Sequence, residues 1–480
     1  MTRVVSASRV ATLLGSAAAR SPAYRGIADG LRLLVADGRI LPGTRLPSER
    51  DLTAALGVSR TTVARAYEVL REQGYVASRR GSGSVTRLPA TRGAPEDHVL
   101  RPGDGRPDVL DLTTAASAAP PGVAAAYERA VAELPPYLAG SGYFPSGLPV
   151  LRELLAQRYV DRGLPTSPDQ VVVTAGALAA LAVATRAFAG TGDRVLVESP
   201  TYPNAIAALH RSGTRVLGTP VGPGGWDVEA LTTSLRQVAP RLAYLVPDFH
   251  NPTGALMPDA TRAEVGSALD RSRTLALVDE SLVDVVLDRG TEAEMPLPLA
   301  AHAADAVTIG SAGKAFWGGL RIGWLRAPDT RTAALVSARL TLDLGSALLE
   351  QLVLADLLQR RDEVLSHQRA RLRERRDHLV AAVSASLPTW RFRVPAGGLA
   401  LWCELPAPLS TALTVAAERQ GVLLAAGSSF APDGGLERFV RLPFTRPGEQ
   451  LTEAVERVAR AWHEARQHRG ATGPRPPLVA

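Results

Sequence analysis

The apolar positions of this chain follow a helical period at the start and a strand-like rhythm further on. Between Tyr24 and Asp37, Ile27, Leu31 and Leu34 recur at the spacing of an amphipathic helix. Pro42, Gly43 and Pro47 then break the pattern. "SERDLTAALG" predicts a second helix, entered through Ser48 and closed by Gly57. "VSRTTVARAYEVLREQG" predicts a third, capped by Ser59, ended by Gly74 and striped inward by Val63, Tyr67 and Leu70. In "YVASRRGSGSVTRLP" two short runs flank a glycine turn, the pattern of a hairpin.

Residues 89–108 are rich in proline, glycine and charge and show no period, which predicts a linker. Beyond it, short β-rich runs ("QVVVTAG", "RVLVES", "LAYLVPD", "TLALVDE", "AVTIGS") alternate with stretches of helical length. That alternation predicts an α/β domain with a mainly parallel sheet. An arginine-rich helical pattern around "LSHQRARLRERRDHLVAAV" leads to a smaller α+β part containing "GGLALWCELP" and "RFVRLPF". The expected units are therefore 1–88, a winged helix-turn-helix; 89–108, the linker; 109–466, the α/β body; and 467–480, a disordered tail.

At 480 residues the chain has room for several units and a large core, and 46% hydrophobic with 21% charged residues is an ordinary globular balance. No apolar run approaches the ~18 residues that span a bilayer. The start, "MTRVVSASRVATLLGSAAAR", has some features of a secretory signal, but Arg9 interrupts its apolar part, so a cytoplasmic protein without a membrane partner is expected. The single cysteine, Cys403, lies in an apolar stretch and is expected to be a buried, inert thiol. No metal is expected.

Charge changes the picture. Residues 1–90 hold 14 arginines against 6 acidic residues, a net of +8, while the whole chain is +7, leaving −1 for residues 91–480. A polyanion partner is thus expected for the first unit only. The third predicted helix opens with Ser59, Arg60, Thr61 and Thr62, with Arg65 one turn on. Its free N–H groups suit phosphates and its side chains suit base edges, while Arg79, Arg80 and Gly81 sit at the wing tip.

Lysine is used once, at Lys314 in "GSAGKAFWGGLRIGW", so 53 of the 54 basic residues are arginine. A P-loop is excluded there, because Thr308 stands where its first glycine belongs and Ala315 where its hydroxyl belongs. An amine, unlike a guanidinium, can lose its proton and form an imine. Pyridoxal phosphate (PLP) chemistry needs such a lysine, a carboxylate for the pyridine nitrogen, phosphate donors and a ring to stack on. Asp279 ends an apolar strand, where α/β ligands sit. Asn251 lies in the loop "HNPTG", and Tyr202 follows a strand. "TAGALAAL" opens a helix whose N–H groups near Ala177 and Leu178 can face a phosphate, and Ser311 and Arg321 flank the lysine. Singly, each has an ordinary reading as a helix cap, a turn, a helix start or packing. His250, in "PDFHNPTG", reads as a loop residue that could also serve the pocket.

Two resemblances join these features. "LPSERDLTAALGVSRTTVARAYEVLREQGYVASRRGSGS" resembles the DNA-binding domain of the GntR family. That resemblance implies contacts with a double-stranded operator by Arg45, Ser48, Arg50, Ser59, Arg60, Thr61, Thr62, Arg65 and Gly81. The ordered set "TAGALAAL", "ESPTYP", "HNPTG", "VDE", "SAGK", "LRIGW", "RFVRLPF" resembles fold-type I PLP enzymes of the aspartate aminotransferase group. It implies a PLP-dependent transferase fold, Lys314 as the Schiff-base lysine and Asp279 at the pyridine nitrogen. By the same likeness Asn251 bonds the ring oxygen and Tyr202 stacks on the ring. Ala177, Leu178, Ser311 and Arg321 hold the phosphate, and Arg441 takes the α-carboxylate of an amino-acid ligand. Together the two parts resemble the MocR subfamily of GntR-type regulators, which implies a head-to-tail homodimer and an amino acid or amine effector sensed by external aldimine formation. Ser281, Gly313 and Leu178 depart from the family pattern, which often has tyrosine, serine and a polar residue there. Three readings stay open: a regulator that senses an amine, an aminotransferase carrying a DNA-binding head, and a sensor of PLP alone.

Overall fold

A computed structural model describes residues 3–15, 21–36, 39–41, 43–79, 83–87, 109–222, 224–288, 290 and 295–467. The expected linker lies outside these residues, as does all of the expected tail except Gln467.

The head comprises β1 (Arg3–Val4), α1 (Ala7–Leu14), α2 (Ala23–Ala36), β2 (Thr44–Arg45), α3 (Glu49–Leu56), α4 (Arg60–Glu72), β3 (Val76–Arg79) and β4 (Gly83–Thr86). The expected caps are in place. Ser48 Oγ accepts from the Asp51 amide at 3.2 Å, Ser59 Oγ from the Thr62 amide at 3.1 Å, and Gly57 ends α3 in the left-handed region. Ile27, Leu31, Leu34, Val63, Tyr67 and Leu70 fill the core. The pattern did not point to β1 and α1. Val10 and Leu14 of α1 join the same core, Ser6 caps the helix, and β1 pairs in parallel with β2, so this opening segment is part of the head. Arg9, the residue that interrupts the apolar run, points away and pairs with Asp227 of the body. Arg3 Nη1 lies 3.5 Å from Asp433 Oδ2, and a methyl group on Gly218 would touch Leu41 at 3.5 Å. The head thus rests on its own chain's body.

The body begins with β5 (Leu110–Asp111), α5 (Val123–Glu133) and α6 (Pro149–Asp161). The large unit continues through β6 (Val171–Thr174), α7 (Ala177–Phe188), β7 (Arg194–Ser199), α8 (Pro203–Arg211), β8 (Arg215–Gly222), β9 (Gly225–Trp226) and α9 (Val228–Val238). It is completed by β10 (Leu242–Leu245), α10 (Asp259–Ser272), β11 (Leu275–Asp279), β12 (Val307–Ser311), α11 (Ala312–Ala315), β13 (Gly323–Arg326), α12 (Asp329–Leu340) and α13 (Leu348–Gln359). Its eight-stranded sheet runs β6-β13-β12-β11-β10-β7-β8-β9. Strands β8, β7, β10, β11 and β12 are mutually parallel, as the alternation predicts. Strand β13 runs antiparallel between β6 and β12. Its sequence follows the lysine loop directly, so the chain turns back along β12 instead of crossing over.

The smaller unit holds α14 (Arg361–Ser386), β14 (Ala400–Glu404), α15 (Ser410–Arg419), β15 (Val422–Leu423), β16 (Ala425–Ala426), β17 (Phe439–Pro443) and α16 (Gly448–Gln467). Its core joins Leu372, Val383, Trp390, Leu401, Leu413 and Trp462, each worth about 1.5–3 kcal/mol or more of burial. Cys403 is buried there, and burial pushes its thiol up, as expected for an inert residue. Strand β5 pairs with β15, so the first segment after the linker belongs to this smaller unit. No helix among the described residues is long and apolar enough to cross a membrane.

Candidate functional site

The carboxyl ends of the parallel strands deliver the polar residues. Tyr202 follows β7, Asn251 follows β10, Asp279 ends β11 and Ser311 ends β12. Lys314 lies in the short helix that continues β12, and Nζ donates to the Ala115 carbonyl at 2.9 Å. Burial brings its ammonium down to about 8, with the positive Arg441 and Arg321 acting the same way and Asp279 opposing them.

Asp279 is fixed from two sides. Its Oδ1 accepts from the Ser281 amide at 2.8 Å, and its Oδ2 accepts from the Tyr244 hydroxyl at 2.6 Å. Sequence reasoning missed Tyr244, which reads as one apolar position of β10. Only the register of β10 on β11 brings its ring under Asp279. Burial, then the neighbouring Asp279, push the Tyr244 hydroxyl well up, so it stays a donor.

Arg441, on β17, is buried beside Asn251 and donates Nη1 to its Oδ1 at 3.3 Å. Its Nη2 donates to the Thr113 carbonyl, and its guanidinium lies 5.1 Å from the Phe430 ring centre. Burial lowers it to about 10. The Tyr202 hydroxyl accepts from Asn204 Nδ2 at 3.1 Å, and burial raises it.

A second cluster forms where α7 begins. Gly176 caps this helix at φ 96° without a side-chain cap, which leaves the first N–H groups, those of Ala177 and Leu178 among them, for a ligand. Arg321 reaches the same point, its Nη2 3.4 Å from the Ala175 carbonyl. A methyl group on Gly176 would lie 2.8 Å from that nitrogen, and one on Gly323 would lie 2.6 Å from the Gly176 carbonyl carbon. Glycines thus let strand, helix start and guanidinium converge. The left-handed backbone position in the lysine loop falls on Arg321, at φ 51°, and on neither Gly318 nor Gly319. Ser311 Oγ accepts from the Gly313 amide at 3.1 Å, which leaves its hydroxyl proton to donate.

This donor set fits PLP. A helix N-terminus, a guanidinium and a hydroxyl suit its phosphate, a fixed carboxylate suits its pyridine nitrogen, and a lysine of lowered basicity suits its aldehyde. Ser281 Oγ, where the family pattern has tyrosine, is buried without a hydrogen-bond partner among the described residues. His250 belongs to the support instead. It is buried, 3.2 Å from Glu198 Oε2, with Nδ1 2.9 Å from Thr253 Oγ1.

On the head, Arg45, Ser48, Arg50, Ser59, Arg60, Thr61 and Arg65 are exposed and Thr62 is half-buried. Ser59 Oγ lies 2.8 Å from both the Thr61 and Thr62 hydroxyls, which orders the start of α4. Arg60 is 76% exposed, and its ion pair, Nε to Glu49 Oε2, is long at 3.8 Å. Arg65 lies 2.5 Å from Glu68. Gly81 and Arg80 lie outside the described residues.

Known proteins carry both parts. Residues 128–458 match the class I and II aminotransferase family, and residues 23–85 match the gntR family of bacterial regulatory proteins. The chain is 30% identical to the uncharacterized HTH-type transcriptional regulator YdcR of Escherichia coli, over 92% of this chain and 99% of that one. It is 28% identical to the HTH-type pyridoxine biosynthesis transcriptional regulator PdxR of Corynebacterium glutamicum, over 80% and 84%. Among solved structures, the α-aminoadipate aminotransferase LysN of Thermus thermophilus, complexed with N-(5'-phosphopyridoxyl)-L-leucine, aligns with a TM-score of 0.66. The identity is 28%, over 75% of this chain and 94% of that one. The aminotransferase domain and these structural neighbours are PLP-dependent. A gntR-type head that reads DNA, joined to a PLP-dependent aminotransferase domain, places this chain in the MocR subfamily of GntR-type transcriptional regulators.

Proposed function

We propose that this regulator senses an amino acid or a related amine at the Lys314 site and converts its arrival into a change in operator binding. The observation that carries the reading is Arg441. It is a buried guanidinium grouped with Asn251, Tyr202 and Lys314, and PLP by itself has no α-carboxylate for it. When bound, PLP supplies an aldehyde that condenses reversibly with primary amines. Ala177, Leu178, Ser311 and Arg321 would hold its phosphate, Asp279 would keep a proton at its ring nitrogen, Asn251 would bond its ring oxygen and Tyr202 would offer its ring to the cofactor's. With its amine brought down to about 8, Lys314 is neutral far more often near neutral pH than an ordinary lysine.

Coupling to the head is supported by what the two cations hold. Lys314 bonds the carbonyl of Ala115 and Arg441 that of Thr113, and both carbonyls lie just past β5, where the chain leaves the linker from the DNA-reading unit. With PLP held at Lys314 that amine would leave the Ala115 carbonyl, and an amino acid whose carboxylate draws Arg441 would take its guanidinium from the Thr113 carbonyl, so cofactor and effector would loosen the segment at two different points. In this reading residues 1–88 bind DNA in the cytoplasm and 109–466 bind the effector. A homodimer is supported by apolar side chains left in water. Leu138 and Tyr143 are 70% and 63% exposed, and Leu342 and Leu344 are both 49% exposed on an adjoining loop, where Arg339 bonds the Pro145 carbonyl.

Titration of the purified protein with amino acids and amines, followed through its visible spectrum, tests the reading. A saturable spectral change without keto-acid formation is expected, and Arg441→Gln should weaken it selectively for ligands with an α-carboxylate. Steady keto-acid production would make the protein an aminotransferase. Indifference to every amine would leave a sensor of PLP alone.

A further inference from the structure

The body carries a basic surface that its near-neutral total hides. Residues 91–480 sum to −1, yet arginines from four separate loops meet at the amino edge of the large sheet, opposite the Lys314 site. Arg194 opens β7, Arg215 opens β8, Arg241 precedes β10 and Arg273 ends the turn after α10. They line one cleft of about 500 Å³.

The backbone spaces them. Arg194 and Arg215 are register partners, the Arg215 amide donates to the Asp193 carbonyl at 2.8 Å, and the Arg241 amide donates to the Arg194 carbonyl at 2.8 Å. The Leu275 amide donates to the Arg241 carbonyl at 3.3 Å, which sets Arg273 beside them. Four adjacent strands hold the row over about 14 Å, a length of duplex that carries about four phosphates per strand. Arg211 and Arg271, in two of the same loops, are exposed and extend it. The acid in the cleft, Asp193, is turned onto the Gly190 amide at 2.8 Å. Among the described residues, the guanidinium groups of Arg194, Arg215 and Arg273 have no hydrogen-bond or ion-pair partner. Arg158, Arg162, Arg262 and Arg361, elsewhere in the body, are all paired with buried carboxylates.

The head rests near this edge. Gly218, against which Leu41 packs, is three residues along β8 from Arg215, about 10 Å. Asp227, which Arg9 grips, caps α9, and the other end of that helix meets the cleft at Ala239.

The geometry points to this arginine edge as a second DNA-contacting surface, which takes backbone phosphates of duplex flanking the segment read by the head. It rests on the head's binding of DNA. It reads no sequence; it adds charge contacts, and so couples the body's position to the affinity of the whole molecule.

The test measures binding of the full-length protein to a random-sequence duplex of about 60 base pairs as salt is raised from about 50 to 200 mM. Arg194→Ala/Arg215→Ala/Arg273→Ala should reduce the slope of log affinity against log salt by roughly 2–3, so that affinity falls about 40-fold less across that range than in the parent. The matching triple lysine variant should keep the parental slope, since a phosphate accepts either cation. An unchanged slope in the alanine variant, or a lysine variant as flat as the alanine one, overturns the inference. So does saturable binding of inorganic pyrophosphate that the alanine variant loses while its DNA slope is parental, which would make the cleft a small-anion site. Arg60→Ala separates the two claims. If it leaves DNA binding intact while the alanine variant of the edge loses slope, the head's role fails, and the edge is then a DNA surface of its own and not one that flanks the head.

Discussion

Lys314 shows what one residue carries and what its surroundings add. Its solitude among 53 arginines marked it, and the exclusion of a P-loop narrowed its chemistry to an amine. Its basicity came from the fold, because its burial and the nearness of the positive Arg441 are set by distant parts of the chain, with Arg321 of its own loop adding to them. The amine is cationic below about 8 and neutral above, and only the neutral form attacks an aldehyde. The rate of PLP uptake by the apoprotein, followed by stopped-flow absorbance, should therefore climb with pH and level off above about 8. A continued climb toward 10.5, the ordinary lysine value, would contradict the assigned surroundings. Tyr244 is the opposite case. Nothing local distinguishes it from its apolar neighbours, and its bond to Asp279 exists only across two strands.

Elements whose ends carry their own signals were legible. Ser48, Ser59 and Gly57 mark helix ends because each satisfies backbone groups within a few residues. Elements defined by long-range partners were not. Strand β13 is held antiparallel between strands on either side of it, and α1 earns its place by two side chains in a core built mostly by later residues. The start of α7 is likewise positioned by β13. Gly323→Ala would drive a methyl group to 2.6 Å from the Gly176 carbonyl carbon and 2.8 Å from the Ala177 amide nitrogen, backbone atoms that cannot rotate away. The variant should fold with about 1–3 kcal/mol lost to overpacking. It should also bind PLP at least about tenfold more weakly, or 1.4 kcal/mol, by absorbance titration. Gly224→Ala, which meets nothing within 4 Å, should change neither.

At the scale of the whole molecule, exposed apolar side chains bear on assembly, and ion pairs join head to body. A dimer that covers the apolar surface around Leu138, Tyr143, Leu342 and Leu344 should fall apart when that surface is charged. Leu342→Glu/Leu344→Glu should elute as a single chain in size exclusion with light scattering, while its circular dichroism stays parental. A wild-type protein that is itself one chain would remove the dimer from the proposal. The contacts of Arg3 and Arg9 with Asp433 and Asp227 are partly exposed ion pairs, worth about 0–1 kcal/mol each.

By itself the sequence determined the two-part organisation, the parallel α/β body, the helix caps of the head and the residue types of the cofactor site. Each of these rests on local spacing or on chemistry that only certain side chains supply. Tertiary structure alone decided which of those side chains meet, how basic Lys314 is, what fixes Asp279 and where the charge of the body gathers. The sequence total of −1 for residues 91–480 pointed to a single polyanion surface, on the head. A sum over a chain has no direction, and strand register is what collects Arg194, Arg215, Arg241 and Arg273 from 80 residues of sequence onto one edge.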